Sequence, residues 1–201
     1  MPRPQLHSPD TMLDAARELL LEQGAGSATV EAIAGVSGAP TGSIYHRFGS
    51  RDELLAQLWL RAVYRSQASF LAALEAEDPR DAALAAAMSI VSFCETEPGD
   101  ARLLASFRRE DLIRTTTDRL ASELEEVNRP VERAVVDLAR RLYGRPTRAA
   151  LNRTLLAVFD LPYGATHRYL RMGAAIPRGL RADLEPAIVA VLGDPKDQAH
   201  G

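Results

Sequence analysis

The chain has 201 residues, 46% hydrophobic and 25% charged, which excludes wholesale disorder and allows one good core or a small domain joined to a medium one. Its formal net charge of -3 excludes a general nucleic-acid coat but leaves room for a localised contact. The longest apolar runs, such as LLAVF at 155–159, fall far short of the roughly 20 residues of a membrane span. The start MPRPQLHSPD lacks the apolar centre of an export signal. With Cys94 alone there is neither an intrachain disulfide nor a cysteine metal site, which fits a reducing cytoplasm. The expectation is a cytoplasmic protein with no metal, no cofactor and no membrane partner.

The periodicity is helical nearly throughout. Over residues 8–23, Met12, Ala16, Leu19 and Leu20 share one face of a 3.6-residue period; Ser8 and Pro9 suit the start and Gly24 the stop. Thr29 offers a hydroxyl cap to a second, shorter helix that turns Val30, Ile33, Ala34 and Val36 inward. Ser37, Gly38 and Ala39 break it. Pro40 is tolerated in the first turn of a third short helix, which runs through Ile44 and Tyr45 to about Phe48. Ser50 and Glu53 have the spacing of a capping box, and Leu54, Leu55, Leu58, Trp59, Ala62 and Val63 follow at helical spacing, so a fourth helix begins at Arg51.

Beyond it, Asp78 and Pro79 open a helix that Pro98 and Gly99 end. Residues 101–107 form a short apolar segment before the cluster RRED at 108–111, which reads as a solvated turn. The helical pattern over 117–143 is kinked or split at Pro130, and a helix from Pro146 to about Arg171 is interrupted near Pro162. A last short helix covers 183–192, with Pro186 in its tolerated first turn. No alternating run of β-branched residues long enough for a strand occurs.

Two short helices joined by a tight turn, braced by longer helices before and after, make a helix-turn-helix, whose second short helix enters the major groove. Gly38 and Ala39 keep the turn small, and Gly42 removes a side chain where the backbone can approach phosphate or base edges. Thr41, Ser43, Tyr45, His46 and Arg47 supply polar groups, and Thr29 and Arg51 stand at helix starts, where hydroxyl, amide and positive charge hold a DNA backbone. Taken without its flanks, Tyr45-His46-Arg47 reads equally as a solvated helix end with Tyr45 packed inward. Residues 1–51 hold four basic residues (Arg3, Arg17, Arg47, Arg51) against five acidic ones (Asp10, Asp14, Glu18, Glu22, Glu31), so the DNA reading rests on placement and not on bulk charge.

The order TVEAIAGVSGAPTGSIYHRFGSRDELL, together with the helix before it, resembles the DNA-binding region of the tetracycline repressor (TetR) family of bacterial regulators over about residues 10–60. In that family an Ile-Ala pair, an Ala-Gly-Val-Ser turn, a Gly-Thr-Leu-Tyr segment, a Phe and a Ser-Lys-Glu-Glu-Leu restart occur at the same spacing. The resemblance implies Thr29 as a backbone-contacting cap, Gly42 and Ser43 in the recognition helix, Tyr45 and His46 as backbone or base contacts, and Arg51 in place of the usual Lys. Ser37-Gly38-Ala39-Pro40 stands where Ala-Gly-Val-Ser is usual, so Pro40 replaces a hydroxyl cap at the start of the recognition helix.

The same resemblance implies an all-α fold: a three-helix helix-turn-helix head at 1–50 and a helical effector-binding and dimerisation domain at 51–194; the polar tail at 195–201 reads from its composition as disordered. It implies a homodimer that reads a palindromic double-stranded DNA operator, commonly as a repressor. Two recognition helices must stand about 34 Å apart to occupy successive major grooves. An unknown small-molecule effector would shift that spacing only through its different affinity for the two states.

Two segments are candidates for the dimer interface. Leu151, Leu155 and Val158 form one side of an apolar helix whose other side carries Leu156 and Phe159, and Leu184, Ile188, Val191 and Leu192 repeat the pattern. The plainer reading is that both complete the core of a single chain. Phe93, Phe107, Arg108, Arg109, Tyr143, Phe159 and Tyr163 are candidates for an effector pocket, since aromatic walls with a few polar groups suit small molecules, although such residues serve equally as core. Cys94 reads as a small core residue and His167 as a structural histidine. A helical-bundle enzyme or a non-DNA-binding adaptor is the alternative, but no glycine-rich phosphate loop, HExxH pair, CxxC or nucleophile elbow occurs.

Overall fold

The computed structural model describes residues 8–24 and 26–193; the tail expected at 195–201 lies outside the described residues. Polar side chains at helix starts set most boundaries near the amino terminus. The Ser8 hydroxyl accepts the Thr11 amide at 3.1 Å and starts α1 (Pro9–Gln23), which Gly24 stops. Thr29 accepts the Ala32 amide at 3.1 Å and starts α2 (Val30–Ser37), which ends at Gly38 with φ 70, a left-handed conformation that glycine adopts without a Cβ penalty. Pro40 precedes α3 (Thr41–Phe48) with no side-chain cap. Ser50 accepts the Glu53 amide at 3.1 Å, half of a capping box, and starts α4 (Arg51–Ala73).

The chain continues as α5 (Pro79–Thr96), α6 (Pro98–Ser106), α7 (Arg109–Thr115), α8 (Asp118–Glu126), α9 (Arg129–Tyr143) and α10 (Arg148–Leu155). A π-helical turn (Leu156–Asp160), α11 (Leu161–Met172) and α12 (Leu180–Leu192) complete it, and no strand occurs among the described residues. The helix expected to end at Pro98 and Gly99 does so, α5 stopping at Thr96, and Pro98 then opens α6, because its missing N–H falls where none is needed. Three sequence expectations are corrected. RRED is a helix start and not a solvated turn, with Glu110 and Asp111 placed where the α7 dipole favours negative charge. Helix α12 starts at Leu180, so Pro186 lies inside it and leaves the Ala182 carbonyl without its i+4 amide. Val36, expected inward, is 50% exposed.

The expected interruption near Pro162 takes the form of the π turn. A proline ring clashes with the carbonyl four residues before it, here that of Val158, and the wider turn, closed by the Leu161 amide on the Leu156 carbonyl, makes room.

The described chain forms two compact units: residues 8–63 with 99–127, and residues 64–98 with 128–193. In the first, Met12, Ala16 and Leu20 of α1, Ile33 of α2, Ile44 and Phe48 of α3, Leu54, Leu58 and Ala62 of α4 and Leu103 of α6 make one core. The other side of the same stretch of α4, Ala56, Trp59, Leu60 and Val63, packs on Leu112 of α7 and on Leu120 and Leu124 of α8. Burial of each large aliphatic side chain contributes about 1.5–3 kcal/mol. Polar ties reinforce this unit. Asp100, fully buried, accepts from Arg17 at 2.5 Å, and Arg61 reaches Asp10 at 2.9 Å and Asp14 at 2.7 Å.

The second unit is centred on α5, whose Ala82, Ala83, Ala86 and Ala87 let neighbouring helices approach closely. Val131, Val135 and Leu138 of α9, Ala157 and Val158 of the π turn, and Leu180, Leu184, Ile188 and Leu192 of α12 fill the rest of that core. Asp78 caps α5 by accepting the amides of Arg80 at 2.7 Å and Asp81 at 3.0 Å. Those bonds, the Asp81 amide first, hold its carboxyl below the usual carboxylate value.

Candidate nucleic-acid interface

Two apolar anchors four residues apart fix the orientation of α3. Ile44 is 1% and Phe48 2% exposed, so the opposite side of this eight-residue helix must face out. Gly42, Ser43, Tyr45, His46 and Arg47 are all exposed, and Thr41 is half-buried. The side chains of Ser43, Tyr45, His46 and Arg47 have no hydrogen-bonding or charged partner among the described residues. A Cβ built on Gly42 would meet nothing within 4 Å, so the space above that position is open.

The turn before α3 is locked from inside. Ser37 donates its hydroxyl to the Ile33 carbonyl at 2.6 Å and accepts the Ala39 amide at 3.3 Å, while Ala39 itself is buried. Exposed Pro40 sits at the corner, and its carbonyl accepts the Ser43 amide at 2.8 Å. Thr29, exposed at the start of α2, uses its hydroxyl as the helix cap. Arg51 has a local partner: its Nε donates to the Ala28 carbonyl at 2.6 Å, which ties the start of α4 to the residue before Thr29. Sequence reasoning saw Arg51 only as a charge for phosphate; the structure adds a positioning role that residue type alone does not signal.

The interface candidates divide by burial. Val158, Leu184 and Ile188 are buried in the second unit's own core, which corrects their assignment to a surface between copies. Leu151 and Val191 are half-buried, and Leu155 is 40% exposed. The large apolar side chains that face outward on α10, the π turn, α11 and α12 are Leu155, Leu156, Tyr163, Met172 and Val189. Leu156 and Val189 show why a stripe of apolar residues does not by itself say which side another chain covers.

The effector candidates divide between the two units. Phe107 and Arg109 belong to the first unit, where Phe107 packs on its cores. In the second unit Phe93 is buried, Phe159 meets Phe70 with ring centroids 5.1 Å apart, and Tyr163 lies 5.0 Å from the His167 ring and is 49% exposed. Tyr143 donates its hydroxyl to the Leu192 carbonyl at 3.2 Å. Cys94 is buried, and burial pushes its thiol up despite a bond from Thr166, so little reactive thiolate forms. Among the described residues no group of three or more His, Cys, Asp or Glu is placed to hold a metal, and no helix is long and apolar enough to cross a membrane.

Comparison with known proteins adds to this geometry. Residues 12–58 match the family described as bacterial regulatory proteins, tetR family. No curated protein matches the chain significantly. Among solved structures, the chain is similar to the fatty acid degradation regulator FadR from Bacillus halodurans (TM-score 0.69, 18% identity, covering 92% of this chain and 98% of that one). It is similar also to the TetR family transcriptional regulator PfmR from Thermus thermophilus (0.68, 17%, covering 90% and 96%). A third is the ketosteroid transcriptional regulator KstR2 of Mycobacterium tuberculosis (0.66, 19%, covering 92% and 93%). At such identities the likeness is one of fold, and it extends over nearly the whole chain.

Proposed function

We infer that this chain, whose residues 12–58 match the tetR family of bacterial regulatory proteins, is a cytoplasmic transcriptional regulator that reads a palindromic operator as a homodimer. One observation carries the reading: α3 is pinned by Ile44 and Phe48 with its polar side outward and without internal partners. Such a helix keeps its hydrogen-bonding capacity for base edges, while Thr29 and the backbone around Pro40, Thr41 and Gly42 stand where phosphates pass. Tyr45, His46 and Arg47 complete the contact, and Arg51 holds the Thr29 cap in place.

Leu155, Leu156, Tyr163 and Val189 face out on elements that pack on one another in the second unit, and they suit pairing with a second copy. A two-fold axis there sets the separation of two heads. A small effector that favours one separation changes operator affinity, and release of the operator makes the chain a repressor.

Fluorescence anisotropy of the full chain with the duplex flanking its own gene tests the reading. Affinity falls as salt rises, because phosphate contacts release counterions, and Tyr45→Ala with His46→Ala removes specific binding while leaving the melting transition in place. Wild-type affinity for no flanking duplex at any salt, or equal affinity in the double variant, rejects it; an enzyme or an adaptor would keep its own activity in that variant.

A further inference from the structure

A cavity of about 510 Å³ opens in the second unit at the corner where α9 gives way to α10. Tyr143, at the end of α9, forms one wall; Arg145 and Thr147 come from the connecting turn, and Ala150 and Arg153 from α10. The volume lies within the roughly 300–1,000 Å³ typical of small-molecule sites.

The charge in this cavity has one sign. Arg145 and Arg153 are both exposed, and neither guanidinium has a hydrogen bond or ion pair among the described residues. Among the described residues no carboxylate lines the cavity. The charges that reach the Tyr143 phenol are those of Arg153 and Arg80, both cations, while burial, the larger influence, keeps the phenol protonated as a donor. The first turn of α10 carries no acid, so its dipole adds to the positive field that the guanidiniums set up. Several other arginines of the unit are instead held by acceptors. Arg181 is bound to Glu95, Arg141 to the carbonyls of Leu74 and Glu77, and Arg80 to that of Gly193. Two guanidiniums that share a recess without a counter-charge repel each other, and an anion between them removes that repulsion while accepting their planar forks.

We propose that this cavity binds a small anion, the phosphate or carboxylate group of a metabolite-sized ligand, between the guanidiniums of Arg145 and Arg153. Tyr143 and Thr147 supply neutral polar groups beside it, and Ala150 leaves room for the body of the ligand. The proposal does not depend on the DNA reading.

The test is isothermal titration of the full chain with inorganic phosphate and, separately, with citrate, at constant ionic strength set with sodium chloride. Wild-type protein is compared with Arg145→Gln/Arg153→Gln and with Arg171→Gln, an exposed cation of α11 outside the cavity lining. Saturable binding of at least one anion is expected, weakened tenfold or more in the double variant and unchanged in Arg171→Gln, with the circular-dichroism melt the same in all three. Tighter binding of phosphate assigns a phosphorylated ligand, and tighter binding of citrate a carboxylate. No saturable heat with either anion, or the same affinity in the double variant as in wild type, overturns the proposal.

Discussion

Helix α3 buries Ile44 and Phe48 and turns Ser43, Tyr45, His46 and Arg47 outward, whereas the second unit buries Val158, Leu184 and Ile188 and turns Leu155, Leu156, Tyr163 and Val189 outward. Both regions are pinned by apolar anchors at helical spacing, so their inner sides obey one rule. Their outer sides differ in kind. A polar outer side is content in water and gains only from a partner with matching donors, acceptors and charge, which a DNA groove offers. Apolar side chains left 40–49% exposed are costly in water and gain from an apolar partner such as a second copy.

The sharpest way to break this contrast is Tyr45→Ala with His46→Ala. Each lost base or phosphate contact is worth about 1–3 kcal/mol, so operator affinity falls by one to several orders of magnitude in an anisotropy titration, while the melting temperature holds. Next, Leu155→Glu with Leu156→Glu places two charges on the apolar outer side. Loss of a central interface contact costs at least about 2 kcal/mol, so sedimentation shows monomer where wild type shows dimer, with helicity retained. A monomeric wild type would remove the contrast altogether.

Asp100→Ala acts inside the first unit. It leaves Arg17, which is 24% exposed, without its buried carboxylate and costs about 1–3 kcal/mol, read as a shifted denaturant midpoint by the fluorescence of Trp59, the one tryptophan in the chain. Gly42→Ala is smaller and runs in two directions. An alanine in this helical turn stabilises the fold by at most about 1 kcal/mol, since nothing lies near the new methyl, yet it weakens operator binding where the backbone approaches the duplex. Equal affinity would place that approach elsewhere. The smallest effect is on pH. The Asp78 carboxyl is held below its ordinary value near 3.8, so its contribution is full above that pH and is lost as acid carries it through its lower folded value. The melting difference between wild type and Asp78→Asn therefore shrinks below about pH 4.

Helix starts were the most legible part of the sequence, because Ser8, Thr29, Ser50 and Asp78 each act on an amide two or three residues away. The polar outward side of α3 was legible for the same reason: the anchors, the turn and the cap are all local. What stayed hidden depends on partners distant in sequence. Whether Leu184 or Val189 faces out is decided by which helices pack on α12, and Arg51 finds the Ala28 carbonyl only once the head has closed. Proline was ambiguous throughout, since Pro98 opens a helix, Pro162 widens one and Pro186 is absorbed inside one.

The first unit is interrupted in sequence: its core and its α4 face are completed by residues 99–127, after a detour of 35 residues, 64 to 98, through the other unit. During synthesis, then, α1 to α4 leave the ribosome before Leu103, Leu112, Leu120 and Leu124 arrive to cover them. Until then the nascent chain carries Trp59 and Leu60 bare, an adhesive stretch suited to chaperone capture. A truncated product ending before residue 99 would inherit that condition permanently.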